Sequence, residues 1–146
     1  MHILFVCTGN TCRSPMAEVV ARAVFPKEGY TFSSAGLGVM EPSGASENAC
    51  LAVEEVGLDL RNHQSHQITL EDVQGADLIL TMTNGHKQAL SAVCQQCQTP
   101  LFTLSEFAGK PEEEVTDPYG CSLEGYRRCL EQITSLVRAC AQVITK

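Results

Sequence analysis

The chain reads as an α/β protein, a single domain of three layers (α/β/α) built on a four-stranded parallel sheet, and three observations carry this reading. Short apolar or β-branched runs alternate with helix-periodic stretches along the whole sequence. Residues 76–82 form a near-continuous apolar run, as expected of a central parallel strand covered on both faces. A loop of small residues, 7–14, joins the first apolar run to the first helix, at the sheet edge where such folds bind ligands.

The first strand is His2-Ile3-Leu4-Phe5-Val6, too short and too poorly flanked to be a secretion signal. Pro15 suits the first helical position, and Met16, Val19, Val20, Ala23 and Val24 then fall on one helical face, with Glu18 placing negative charge near the helix start. Residues 30–35 are rich in β-formers and end at Gly36. After a glycine- and proline-bearing crossover, residues 46–56 turn helical, with Ala49, Ala52, Val53 and Val56 on one face and Gly57 as the stop. The third strand, 76–82, precedes a helix over 84–93 and a short fourth strand over 100–104. A long loop, 105–120, holds Glu112, Glu113, Glu114 and the Asp117-Pro118 step, where proline disfavours helix in the preceding residue. The last helix has the clearest pattern: Leu123, Tyr126, Leu130, Ile133, Val137, Cys140 and Ile144 alternate three- and four-residue steps, with Ser122 as N-cap. Four strands alternating with helices imply a parallel sheet with right-handed crossovers.

At 146 residues the chain has enough length for one core, and one domain over 1–146 is expected. No apolar stretch approaches the roughly 20 residues of a membrane span. The formal net charge of −7 argues against a general nucleic-acid surface, so any phosphate binding must be local. Eight cysteines without a secretion signal point to reduced thiols and a cytoplasmic protein.

The chemistry concentrates in Cys7-Thr8-Gly9-Asn10-Thr11-Cys12-Arg13-Ser14. A strand-to-helix loop gathers backbone N–H groups and the positive end of a helix dipole around one point, which suits a phosphate dianion. A guanidinium and a helix N-terminus favour the thiolate of Cys7 as a nucleophile beneath that anion. Arg13 can hold two equatorial phosphoryl oxygens as a planar fork, which a lysine cannot. Gly9 is expected to supply the backbone angles that turn the amides inward, Asn10 to brace the loop, and Ser14 to donate to the Cys7 sulfur. Asp117 is a candidate acid for protonating a leaving group and then activating water.

The segment Cys7 to Glu18 and the run Thr116-Asp117-Pro118-Tyr119 resemble the opening and the general-acid loop of low-molecular-weight protein tyrosine phosphatases, and the likeness spans essentially the whole chain. The resemblance implies that family's fold, a phosphocysteine mechanism with Cys7, Arg13 and Asp117 as the reacting groups, and phosphate binding by residues 8–12 and Ser14. Ser33-Ser34-Ala35-Gly36 and residues 63–69 also look like family segments; by that likeness Ser34 and His63 join Asn10 in a network supporting the loop. It implies phosphorylated proteins as partners, no cofactor or metal, and a monomer that engages neither nucleic acid nor membrane.

Two positions depart from the tyrosine-specific pattern: Thr11 stands where a bulky aliphatic residue is common, and Gly120 where a second tyrosine is common. Loops of this threonine-bearing kind resemble the family's protein-arginine phosphatase branch, in which the threonine filters substrates. Thr11 and Tyr119 are then expected to shape the substrate pocket, with phosphoarginine as substrate and phosphotyrosine as the alternative. Thioredoxin-coupled arsenate reductases share the fold and loop and relay a disulfide through two further cysteines; Cys94 and Cys97 are a C-x2-C pair, but where that group carries its first relay cysteine, just after the central strand, this chain reads Leu80-Thr81-Met82-Thr83; a phospho-binding module without turnover is a further alternative. His2, His66 and His86 have no partner evident in the sequence.

Overall fold

The computed structural model describes residues 1–95 and 97–146. Its four strands are β1 (His2–Cys7), β2 (Thr31–Gly36), β3 (Leu78–Thr81) and β4 (Leu101–Thr103), all parallel, in the spatial order β2-β1-β3-β4. The helices are α1 (Arg13–Val24), α2 (Glu47–Glu54), α3 (Leu70–Gly75), α4 (Asn84–Val93), α5 (Leu104–Phe107) and α6 (Leu123–Ile144). Chain order moves from β1 outward to β2 and then returns to β3 on the other side. The crevice beyond the carboxyl ends of β1 and β3 is therefore the switch point at which doubly wound sheets bind their ligands.

The apolar run of β1 shows why the sheet is covered on both faces. Ile3 and Phe5 enter one core cluster with Leu78 and Leu80 of β3, beneath α1, α2 and α6, whereas Leu4 and Val6 enter a second with Ile79, Val73 and Leu90, beneath α3 and α4. Side chains alternate between the faces at the strand period of two, and every one of them is buried. The amphipathic pattern of α6 holds as read: Tyr126, Leu130, Ile133, Val137 and Cys140 are buried, while Leu123 and Ile144 pack at the ends.

Several local readings need correction. Helix α1 begins at Arg13, two residues before Pro15, because the loop itself winds into the first turn. Glu18 does not sit at the dipole; it lies further along α1, pairs with Arg22 one turn on, and accepts a hydrogen bond from Ser34 Oγ at 2.6 Å. Ser122 occupies the N-cap of α6 without a side-chain cap bond. The strand read over 76–82 narrows to Leu78–Thr81, and β4 to Leu101–Thr103. Two short helices lay unread: α3, opened by a capping box between Thr69 and Asp72, and α5, opened by another between Thr103 and Glu106. Ser46 caps α2 by accepting from the Ala49 N–H, and Gly57 follows at a φ of 84°, as the stop signal required. No helix is long and apolar enough to cross a membrane among the described residues.

Candidate active site

The loop after β1 wraps around a hollow of about 220 Å³ lined by residues 7–13 together with Asp117 and Tyr119. Larger hollows lie elsewhere, two of them, of about 270 and 440 Å³, lined by Cys94 and Cys97, but none of these brings a thiol together with an arginine and a carboxylate. Cys7 is buried at the foot of the cradle. Its sulfur receives the Asn10 backbone N–H at 3.3 Å and lies 2.9 Å from Ser14 Oγ.

Asn10 organises the loop from within. It is fully buried and adopts a φ of 56°, the one described non-glycine residue in the left-handed region. The left-handed residue of the loop is thus not a glycine but asparagine, which tolerates that region better than most residues. Its side chain explains why it stays there. Oδ1 accepts the His66 backbone N–H at 2.9 Å, which fixes the amide's orientation, and Nδ2 then donates to Ser14 Oγ at 2.8 Å and to Ser34 Oγ at 3.0 Å. His63 Nε2 bonds the Asn10 carbonyl at 2.8 Å. Ser34 therefore sends its single hydrogen to Glu18, and Ser14, already an acceptor from Asn10, has its own hydrogen to point at the Cys7 sulfur.

Neighbouring segments hold the cradle from outside. Thr8 O accepts from Gly38 N at 3.0 Å, and Thr11 O accepts from Ser46 N at 2.9 Å. Gly36 allows the close approach of β2: a Cβ there would lie 2.6 Å from Thr8 O. Cys12 Sγ lies 3.3 Å from Ser46 Oγ and 3.4 Å from the hydroxyl of buried Tyr126, whose pKa is pushed up to about 12 by burial and by the Cys12 contact.

Arg13 is buried; its Nη1 donates to Val115 O at 3.0 Å and its Nη2 lies 3.7 Å from Asp117 Oδ2. Asp117 is about half exposed, with Oδ1 accepting from Tyr119 N at 3.0 Å, so its other oxygen faces the hollow from the rim. Tyr119 is exposed at the mouth. Gly120 has a φ of 81°, so its backbone favours glycine whatever the substrate requires of the position.

The residues chosen from sequence thus converge. Cys7, Thr8, Gly9, Asn10, Thr11, Cys12, Arg13, Asp117 and Tyr119 line one hollow, with Ser14, Ser34 and His63 behind it. The sequence reading missed His86. Burial, together with the Arg13 guanidinium, pulls its pKa down to about 4, and its Nε2 lies 2.8 Å from Thr8 Oγ1. No motif marks it, apart from its place in the first turn after a strand at the ligand-binding edge. Cys94 and Cys97 lie at the far end of α4, beside the start of β4 and opposite the Cys7 edge, so they offer Cys7 no relay. Among the described residues, no three His, Cys, Asp or Glu gather to hold a metal.

A thiol at the foot of a strand-to-helix loop on a doubly wound sheet, with a buried guanidinium beside it and a carboxyl at the rim of the same hollow, defines a cysteine-dependent phosphatase. The chain belongs to the low molecular weight phosphotyrosine protein phosphatase family, which it matches over residues 2–146. It is 37% identical to a protein-arginine-phosphatase of Bacillus subtilis (strain 168), over 100% of this chain and 98% of that one. It is 41% identical to the low molecular weight protein-tyrosine-phosphatase PtpB of Staphylococcus aureus, over 99% of each. Among solved structures it resembles the arginine phosphatase YwlE in a cysteine-to-serine mutant with a phosphorylated active-site serine. That match has a TM-score of 0.93 at 36% identity and covers 100% of this chain and 97% of the other.

Proposed function

We propose that the protein is a protein-arginine phosphatase acting through a phosphocysteine. The observation that carries the chemistry is Cys7 Sγ, held by the Asn10 N–H and the Ser14 hydroxyl at the foot of a hollow shared with Arg13 and Asp117. The sulfur attacks phosphorus in line, the phosphorus–nitrogen bond of phosphoarginine breaks, and Asp117 gives its proton to the departing guanidine. Arg13 and the loop amides hold the equatorial oxygens, where charge spreads in the transition state. Asp117, now ionised, takes a proton from water as it attacks the phosphocysteine, and phosphate and the free thiolate result. A serine substituted for the active-site cysteine carries the phosphoryl group in YwlE, which supports this route.

Thr11 supports the choice of substrate more than Gly120 does, since the backbone gives the glycine its own reason. Asp117 at the rim can pair with a substrate guanidinium as well as pass its proton. The relatives divide: the Bacillus protein carries the arginine name, and the somewhat more identical Staphylococcus protein carries the tyrosine name, so phosphotyrosine is the second reading. We take residues 1–146 as one phosphatase domain, working as a cytoplasmic monomer on phosphorylated proteins and engaging neither nucleic acid nor membrane. The test compares kcat/KM on phosphoarginine and phosphotyrosine peptides, with Cys7→Ser as blank. Preference for phosphoarginine is expected. Preference for phosphotyrosine overturns the substrate, and no turnover of either overturns the enzyme.

A further inference from the structure

His86 is, among the described residues, the one buried titratable side chain with a polar atom that has no partner. It is 8% exposed and sits in the first turn of α4. Thr81 Oγ1 donates to Thr83 O at 3.0 Å, and Thr83 Oγ1 accepts the His86 backbone N–H at 3.2 Å, so the end of β3 sets the imidazole's position. Nε2 meets Thr8 Oγ1 at 2.8 Å, and Nδ1 is the atom without a partner.

These contacts decide where the hydrogens lie. The imidazole is neutral, with Asp117 and Glu114 pulling only weakly against burial and Arg13, and a neutral imidazole carries one N–H. On Nδ1 that hydrogen would be a buried donor without an acceptor. On Nε2 it is satisfied by Thr8 and leaves only a lone pair bare on Nδ1, which is the less costly arrangement. Nε2–H therefore donates to Thr8 Oγ1, and Thr8 keeps its own hydroxyl hydrogen for a different acceptor. Thr8 directly follows Cys7, is exposed, and lines the hollow. Its carbonyl is gripped from the β2 side by Gly38 N and its hydroxyl from the β3 side by His86.

We propose that Thr8 donates its hydroxyl hydrogen to the phosphoryl group bound in the cradle, and that His86 is the positioning residue that aims it. The bond adds a side-chain donor to those of the loop backbone and is aimed at the flattened, trigonal arrangement the phosphoryl oxygens take in the transition state, so it acts on kcat more than on KM. The proposal rests on the phosphatase reading above and is independent of which phospho-residue is the substrate.

The experiment measures p-nitrophenyl phosphate turnover by wild type, Thr8→Val, His86→Leu, the double variant and His86→Gln, with Cys7→Ser as blank. Wild-type turnover at the blank level overturns the phosphatase reading and this proposal with it; turnover above it leaves the variants to decide. Thr8→Val and His86→Leu should each lower kcat by about tenfold with KM within about twofold, the scale of one charge-assisted hydrogen bond. The double variant should be no slower than the slower single. His86→Gln, whose amide N–H reaches close to the place of Nε2, should restore most of the rate. Multiplying losses in the double variant, wild-type kcat in Thr8→Val, or a glutamine variant as slow as the leucine one would each overturn the proposal. Should His86→Leu fail to fold, a slow Thr8→Val beside a near-normal His86→Gln supports it, and any other pair of results overturns it.

Discussion

Gly36 shows how tightly the cradle is built. A methyl on its Cα would lie 2.6 Å from Thr8 O, 2.7 Å from Val39 Cγ2 and 3.1 Å from Asn10 Cβ. Val39 can rotate away, but the Thr8 carbonyl is backbone and has to retreat by about 0.8 Å to reach ordinary contact at 3.4 Å. Gly36 cannot yield in its place, because its N–H is bonded to His66 O and its carbonyl to Ile68 N. Overpacking of this kind costs about 1–3 kcal/mol. With an unfolding entropy of roughly 2.1 cal/mol/K per residue, Gly36→Ala should lower the melting temperature by about 3–10 °C. Displacing the residue that follows Cys7 by most of an ångström should cost roughly 100-fold in kcat/KM. Thermal unfolding followed by circular dichroism, beside p-nitrophenyl phosphate turnover, checks both. A Gly36→Ala protein that melts within about 1 °C of wild type and keeps its rate would refute the argument that this contact fixes the loop.

Two further outcomes follow from the same geometry. The unfolded chain takes up a proton at His86 near pH 6.5, whereas the folded chain does so only near pH 4. His86 therefore adds nothing to the pH dependence above pH 6.5, and stability falls as pH drops from there toward 4, by at most about 1.4 kcal/mol per pH unit; melting curves across that range should be flatter for His86→Gln, and equal slopes in the two proteins would show that this histidine is not the group responsible. Thr11→Ile should move the kcat/KM ratio toward phosphotyrosine, and an unchanged ratio in side-by-side assays would remove Thr11 as the filter.

The parts of the site that were legible in the sequence are those whose meaning is local. Cys7, Arg13 and Ser14 sit within one loop and turn, and Asp117 sits beside a proline that marks its own loop. The periodicities of β1 and α6 were legible for a similar reason, since strand and helix periods show within a few residues. The bracing network was different: Asn10, Ser34 and His63 were tied together by family likeness, and nothing in their spacing predicts bonds across 24 and 53 residues. Freedom to turn the loop amides inward was read at Gly9, whereas the left-handed residue of the loop is Asn10, held there by distant hydrogen-bond partners. His86 stayed hidden because its partner lies 78 residues away. Helix α3 did carry a local signal, the Thr69 and Asp72 pair, but its six residues are too few for a helical period to stand out.

The bracing of Asn10 also orders events as the chain folds. Its side chain and carbonyl are bonded to Ser34, His63 and His66, which belong to β2 and to the segment before α3, so the loop cannot take its working shape until both have docked. Helix α6, 22 residues long, depends chiefly on contacts local in sequence, whereas bringing together segments so far apart in the chain is slower. Recovery of turnover during refolding therefore reports the final assembly of the sheet edge and lags the return of helical signal.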